Sequence, residues 1–454
     1  LAKHDVVALS AVVAAQEIAK GTLSAEDYVR ACLDRIAEVE PEVRAFAHLN
    51  PDHAIAQAKV LDDHRKQGGA LGPLHGIPVA IKDIVDTADY PTEFGSPVFA
   101  GRQPQYDATI VAKLRAAGAV IVGKTVTTEF AYYNPGKTRN PHDVERTPGG
   151  SSSGSAAAVA AGMVPLAIGS QTNGSIIRPA AFCGVFALKP SHGLVSRNGV
   201  LPLSPVLDHI GPFARNLQDL ALIMETLAGY DPDDEDTRAI AVPSYQKAVI
   251  EDFPVEPRIA FVRTPIWDKA DEATRQAFEK LADDLGENCV ELDLPAEYAS
   301  AWDAIRIIML VDMGHRFGPV ADKHGEAVSQ VMRDLIDEGR QVTAMQYLAA
   351  LDLRRNLAER LNQMFSHFNA IVTPAAPGVA PLGHNSTGNP AFCSLWTLMG
   401  LPSMSLPLLE GEDGLPLGVQ LVGARNDDFR LFRNAKWIAD QMAPKHKKRS
   451  KKKS

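Results

Sequence analysis

The sequence predicts an α/β fold in which helices flank a sheet. Short runs rich in β-branched residues, punctuated by Gly and Pro, alternate with longer stretches of helical periodicity. The chain has 454 residues, 45% of them hydrophobic, enough to build a large core and cover a sheet.

The elements follow in order. The first 70 residues read as helices. VVALSAVVAA, residues 6–15, has the apolar character of a signal segment. Against that, Asp5 stands at its edge, and Ser10 can cap a helix through AVVAAQEIAKG, which is the reading adopted. Ser24, followed by Ala25, Glu26 and Asp27, is a box-like cap before YVRACLDRIAEVE. IPVAIKDIV, residues 77–85, is a strand entering a loop, and AKLRAAGAVIVGKT, residues 112–125, is a helix, a glycine stop and a buried strand. VPLAIGS and CGVFALKPS suit interior strands. From about 215 to 370 the chain is more helical and more charged. DPDDEDTR, residues 231–238, is a solvated loop. RIAFVR, a helix from Glu272 and CVELDLP form a strand–helix–strand unit, followed by helical stretches near 301–318 and 326–366. SMSLPLL and PLGVQLVG pair around EGEDG, and DFRLFRNAKWIADQM closes the pattern as an amphipathic helix. Without a repeat or a sharp break in composition, residues 1–443 are expected to form one domain, with 444–454 a basic, disordered tail.

Charge and cysteine usage narrow the function. The formal charge is −9, and Lys445, Lys447, Lys448, Arg449, Lys451, Lys452 and Lys453 all lie in the last ten residues; without these seven the body carries −16. Such a body should repel nucleic acid. Cys32, Cys183, Cys289 and Cys393 are scattered with no CxxC pair, which argues against a disulfide framework and a zinc site and fits a reducing, cytoplasmic setting. No apolar run reaches the ~18 residues of a membrane span.

Two serine-rich stretches invite chemistry. TPGGSSSGSAAAVAAG, residues 147–162, looks like linker but runs unbroken into an alanine-rich helix former. IGSQTNGSIIRPA, residues 168–180, reads as a buried strand ending in a turn. Ser175 follows Gly174 there, beside backbone N–H groups free to bind an anion. A hydroxyl so placed can attack a carbonyl while the amides hold the oxyanion. The same stretch also reads as a plain turn whose serine caps IIRPAAF. A nucleophilic serine needs a base, and the chain offers Lys82 at the end of an apolar strand. Desolvation disfavours the ammonium and turns a lysine into a base. Taken alone, Lys82 reads first as the partner of Asp83 or Asp86 at a strand end.

Lys82, PGGSSSGSAAAVAAG and NGSIIRPAAFCG, in this order and spacing, resemble the amidase signature family. GTLSAEDYV, HGIPVAIKDIVDT, AGAVIVGKT and WTLMGLPSMSLP through PLGVQLVG extend the resemblance over most of residues 1–440, and the serine motifs look closest to malonamidase-like bacterial amidases. The resemblance implies a large mixed β-sheet core sandwiched between helices. It implies Ser175 as nucleophile, Ser151 bridging Ser175 to Lys82 after a cis Gly150–Ser151 peptide, and an oxyanion hole from the N–H groups of Thr172, Asn173, Gly174 and Ser175. Phe130, Tyr132 and Tyr133, in TEFAYYN, match a region lining the acyl side, where two of the three can equally be packing. Ser155 is expected to bond locally at its helix start. The sequence departs from the family at Gln171 and Asn173, where DTGGS is common, at Ser153, where glycine is common, and at Arg178, one place later than the usual arginine. Arg178 then either pairs with Asp208, the favoured reading, or faces the pocket and binds a substrate carboxylate. The implied activity is amide hydrolysis through an acyl-enzyme, on small-molecule amides, with ester and carbamate (urethane) carbonyls open to the same attack. No metal or organic cofactor is called for. A small-molecule partner, no nucleic acid and no membrane are expected, and a homodimer is allowed. Two alternatives stand beside this: an amidotransferase subunit delivering ammonia to a tRNA-dependent partner, against which the acidic body and the QTNGSIIRPA form weigh, and a non-catalytic binding module.

Overall fold

A computed structural model of the chain describes residues 6–251, 253 and 255–443. Asp5 and the basic segment 444–454 lie outside the described residues. The first half runs α1 (Ala11–Lys20), α2 (Ala25–Val43), β1 (Phe46–Leu49), α3 (Pro51–Lys66), β2 (Pro78–Lys82), α4 (Thr109–Ala116), β3 (Val120–Thr125), α5 (Ser153–Ala160), β4 (Leu166–Gln171), α6 (Ile177–Cys183), β5 (Phe186–Lys189) and β6 (His209–Ala214). The second half runs α7 (Leu217–Leu227), α8 (Tyr245–Ile250), β7 (Ile259–Arg263), α9 (Glu272–Leu285), β8 (Cys289–Asp293), α10 (Ala301–His324), α11 (Gln330–Gln341), α12 (Ala344–Asn362), β9 (Ala370–Pro374), α13 (Ala391–Leu398), β10 (Ser403–Glu410), β11 (Pro416–Val422) and α14 (Asp428–Met442).

The predicted caps are present. Ser10 accepts from the Val13 N–H, so the apolar stretch at 6–15 leads into an ordinary capped helix. Ser24 accepts from the Asp27 N–H. The stretch expected as one helix over 326–366 is two, because Thr343 and Gln346 form a reciprocal capping box that starts α12 afresh after α11.

These eleven strands form one mixed sheet in the order β1-β3-β2-β4-β6-β5-β10-β11-β9-β7-β8. β2 runs parallel to both β3 and β4, and β7 parallel to β8 and β9. The remaining neighbours are antiparallel, including the β10–β11 hairpin around the predicted EGEDG turn. Every residue of β2, β3, β4 and β6 is buried. A strand covered on both faces has no polar side to present, which is why these segments do not alternate but are largely apolar, with Lys82, Lys124, Thr125, Ser170, Gln171 and His209 gathered at one end.

α5 is the element that brings the serine stretch to the sheet. Seven of its eight residues, Ser153–Val159, are buried, as expected of a helix without a polar face. It packs against β2, β3 and β4, and only small residues allow that approach. A Cβ on Gly154 would stand 2.2 Å from the Ala45 carbonyl oxygen and 2.4 Å from the Val126 nitrogen. α11 and α12 each pack on α10 at the periphery, and α10 reaches α13.

Candidate active site

β2, β3 and β4 are parallel, so their carboxyl ends open together, where α/β sheets place ligand sites. Lys82 is the last residue of β2, and Ile81 pairs with Ile168 of β4, which sets Lys82 beside Ser170. The Lys82 Nζ lies 2.7 Å from Ser151 Oγ and 2.8 Å from Ser170 Oγ. The side chain is fully buried. Burial pushes its pKa well below the ordinary amine range, with the negative charge of Asp208 partly opposing. Neither carboxylate considered as its partner takes that place. Asp83 lies 3.4 Å from the Lys124 ammonium, and Asp86 pairs with Arg102 at 2.6 Å.

Ser151 is held by a bracket rather than a linker. Gly149 adopts φ +81°, a conformation that favours glycine, and the Gly150–Ser151 peptide is cis. Ser152 Oγ donates to the Ser170 carbonyl and accepts from the Ser170 N–H, both at 3.1 Å. Ser153 Oγ donates to the Val126 carbonyl. Ser155, expected to bond within its own turn, instead reaches Ile168 O at 2.8 Å and Thr125 Oγ1 at 2.7 Å, because α5 is pressed against the strands. Ser152, Ser153 and Ser155 thus bond to backbone groups at the end of the sheet, while Ser151 bonds to Lys82.

The turn at 172–175 is oriented through its carbonyls. Thr397 Oγ1 donates to Asn173 O at 2.6 Å, the Arg178 N–H to Gly174 O at 2.9 Å and the Ser152 N–H to Ser175 O at 3.3 Å. Each peptide plane is therefore fixed with its N–H on the opposite side. Among the described residues, the N–H groups of Asn173, Gly174 and Ser175 donate to no protein acceptor. This is the face an oxyanion needs. Gln171 secures the turn: its Oε1 accepts from the N–H groups of Ile176 and Ile177 at 2.8 and 2.9 Å, and its Nε2 donates to Thr397 Oγ1 at 2.9 Å. Asn173 Oδ1 accepts from Ser394 Oγ at 2.7 Å, so its amide is held by the protein.

Lys82 and Ser151 are in contact, and the Ser152–Ser175 backbone bond joins the two serine segments. Among the described residues no hydrogen bond links Ser151 to Ser175. Such bonds are often long in unliganded sites and tighten with substrate in place. Ser175 lines a cleft of about 20 Å³ with Tyr132, Tyr133, Arg178 and Leu203. Through Tyr132, Tyr133, Asn173, Met309 and Pro390, which line both, it adjoins a mouth of about 380 Å³ walled by Trp302, Ile305 and Met313. Phe130 is not brought to the cleft. It adopts φ 48° and stacks on Phe317 at 4.7 Å, filling the core behind Tyr132.

Arg178 does not pair with Asp208. Its Nη2 donates to Gly150 O at 2.7 Å and to Thr387 Oγ1 at 3.0 Å, while Nε and Nη1 are buried without a protein partner. Asp208 is engaged elsewhere, by the Thr172 hydroxyl at 2.7 Å and the N–H groups of Leu203 and Ser204 at 2.8 and 2.9 Å. Sequence reasoning does not reach Ser170, Thr397 or the roles of Gln171 and Asp208. The glutamine in QTNGS is the available signal, since one side chain there can both donate and accept. His48, Asp83 and Glu93 present ligand atoms within 4.8 Å of one another, but the Lys124 ammonium beside Asp83 already supplies a positive charge there.

The family model described as Amidase matches residues 27–432. The A component of the glutamyl-tRNA(Gln) amidotransferase of Chloroflexus aurantiacus is 38% identical over 94% of this chain and 95% of its own, and that of Acidothermus cellulolyticus 37% identical over 95% and 93%. Among solved structures, native peptide amidase from Stenotrophomonas maltophilia superposes with a TM-score of 0.84 at 30% identity, covering 96% of this chain and 97% of its own. These relatives correct the expected partners, a small-molecule substrate with no nucleic acid and an optional homodimer. The relatives at 38% identity are named as subunits of an enzyme directed at tRNA. The acidic charge that argued otherwise bears only on this chain's own surface, and in a multi-subunit enzyme another polypeptide can carry the nucleic-acid contact. Among the described residues no helix is long and apolar enough to cross a membrane.

Proposed function

The chain belongs to the amidase family, and on that premise we propose that Ser175 opens an amide bond with Lys82 as the base and Ser151 as the relay between them. The observation that carries this is the buried Lys82 amine, 2.7 Å from Ser151, beside a turn with three N–H groups open. Neutral Lys82 takes the Ser151 proton as Ser151 takes that of Ser175. Ser175 Oγ attacks the carbonyl carbon, and the N–H groups of Asn173, Gly174 and Ser175, with Thr172 at the head of the turn, receive the oxyanion. The C–N bond breaks as Ser151 returns a proton to the leaving nitrogen, and water then hydrolyses the acyl-enzyme. Arg178 would bind a carboxylate on the acyl part, since two of its guanidinium nitrogens are buried without a protein partner beside the cleft.

We infer further that the nitrogen released is passed on within an assembly, as in a tRNA-dependent amidotransferase. Identity of 38% to a component of such an enzyme, across 94% of the chain, supports that reading over free-standing hydrolysis. Four unpaired cysteines fit a reducing compartment for it. The test is the chain expressed alone and with companion subunits of a bacterial enzyme of that class, given ¹⁵N-amide glutamine or asparagine, glutamyl-tRNA(Gln) and ATP with Mg²⁺, so that the glutamyl carboxylate can be activated and its oxygen leave as phosphate. Transfer of ¹⁵N to the aminoacyl group only in the assembly is expected. Full turnover of simple amides by the lone chain, unchanged by the companions, would overturn it.

A further inference from the structure

We propose that Asp208 is a positioning residue: its carboxylate ties the oxyanion turn to the 203–204 loop and supplies the negative charge that Lys82 senses. The inference rests on the Ser175 reading above. Asp208 directly precedes β6, whose His209 pairs with Gln171 at the end of β4, so the carboxylate stands next to the turn. One oxygen accepts from Thr172 Oγ1 at 2.7 Å; the other accepts from the N–H groups of Leu203 and Ser204 at 2.8 and 2.9 Å. Thr172 and Leu203 both line the cleft of Ser175. They also line a second cavity, of about 420 Å³, that reaches Ser170 and Asp208 itself. The carboxylate therefore sits in the wall between the two spaces and fixes both residues that form it.

The electrostatic half has an equally local basis. Asp208 lines the same cavity as Ser170, whose hydroxyl lies 2.8 Å from the Lys82 amine, and from there its negative charge favours the protonated amine. Burial pushes the Asp208 carboxyl up to about 6, with the Thr172, Ser204 and Leu203 hydrogen bonds and the Arg197 charge pulling it back. The other charged groups facing it across the larger cavity are Arg316, Asp233, Asp234 and Glu235, and Arg197 is already paired with Asp234 and Asp236. The Tyr132 phenol also faces it, held neutral by burial.

An alkyl fluorophosphonate tests this without a known substrate. The Ser175 oxygen forms a P–O bond, the P–F bond breaks, fluoride leaves and the serine proton passes toward Lys82. The labelling rate is followed from pH 5 to 10. Asp208→Asn keeps an acceptor for the two N–H groups and a donor for Thr172 but removes the charge. Its rate midpoint should move at least about half a pH unit lower, because the charge favouring the ammonium is gone. Thr172→Val removes one tie and no charge, so its plateau should fall roughly tenfold, the scale of one hydrogen bond, with the midpoint unmoved. Asp208→Ala should show both effects and the lowest plateau. An unshifted midpoint in Asp208→Asn, or a wild-type plateau in Thr172→Val, would overturn the proposal. Failure of the wild type to label at Ser175 would remove the nucleophile assignment first, and this inference with it.

Discussion

Replacing Lys82 with methionine should inactivate the enzyme and, at neutral pH, make it more stable. The proposed mechanism requires the folded chain to hold the Lys82 amine uncharged at neutral pH, and burial lowers its pKa in that direction. An unfolded lysine stays protonated up to about pH 10.4. At pH 7 the unfolded state thus binds one more proton at this site, and keeping the folded amine neutral costs about 4–5 kcal/mol. Methionine removes that cost. It also removes the contacts to Ser151 and Ser170, at 2.7 and 2.8 Å, worth about 1 kcal/mol each. The net gain at pH 7 is about 2–3 kcal/mol. The sign follows from linkage: where the unfolded state binds more protons, wild-type stability rises with pH. The advantage of Lys82→Met should therefore shrink by about 1.4 kcal/mol per unit, vanish near pH 9 and reverse above it. Urea unfolding of both proteins at pH 7, 8, 9 and 10, with matching m-values, reads this difference directly. Other titrating groups cancel between the two proteins. A difference that stays constant with pH would mean that the folded amine is charged, and an ammonium cannot be the base.

Three further outcomes are expected. Ser175→Ala should lose at least about 10⁴ in kcat while its urea midpoint stays unchanged, and retained turnover would reject the nucleophile. Gln171→Leu orphans the Ile176 and Ile177 N–H groups and the Thr397 hydroxyl contact; it should cost about 3–5 kcal/mol of stability and lower kcat more than it raises KM. Gly154→Ala drives a methyl to 2.2 Å from the Ala45 carbonyl; a loss of about 3 kcal/mol in urea unfolding is expected, and a neutral effect would mean that α5 can lift off the sheet.

The parts legible in the sequence are those written locally. PVAIK ends an apolar run with a lysine, so a buried amine at a strand end follows from residues 78–82 alone. Ser10 and Ser24 cap their own helices, and the 428–442 helix shows its own apolar periodicity. What stays hidden depends on partners distant in the chain. Asp208 belongs to Thr172 rather than Arg178 because β4 and β6 pair with Gln171 opposite His209. Phe130 turns from the acyl side to the core because Phe317 of α10 waits behind it. The break at Thr343 is hard to see because its capping box with Gln346 lies inside a longer run of helical periodicity. Charge misleads on partners, since the net charge of one chain does not report on its assembly.

The link between Ser151 and Ser175 is the part of the relay on which the mechanism turns. A crystal structure of the fluorophosphonate adduct measures it most directly. The account predicts phosphorus on Ser175 Oγ, a phosphonyl oxygen about 2.7–3.1 Å from the N–H groups of Asn173, Gly174 or Ser175, and Ser151 Oγ within about 3.2 Å of Ser175 Oγ. An adduct oxygen turned away from those N–H groups, or Ser151 held more than about 4 Å from Ser175 Oγ with Lys82 still bonded to Ser170, would contradict it.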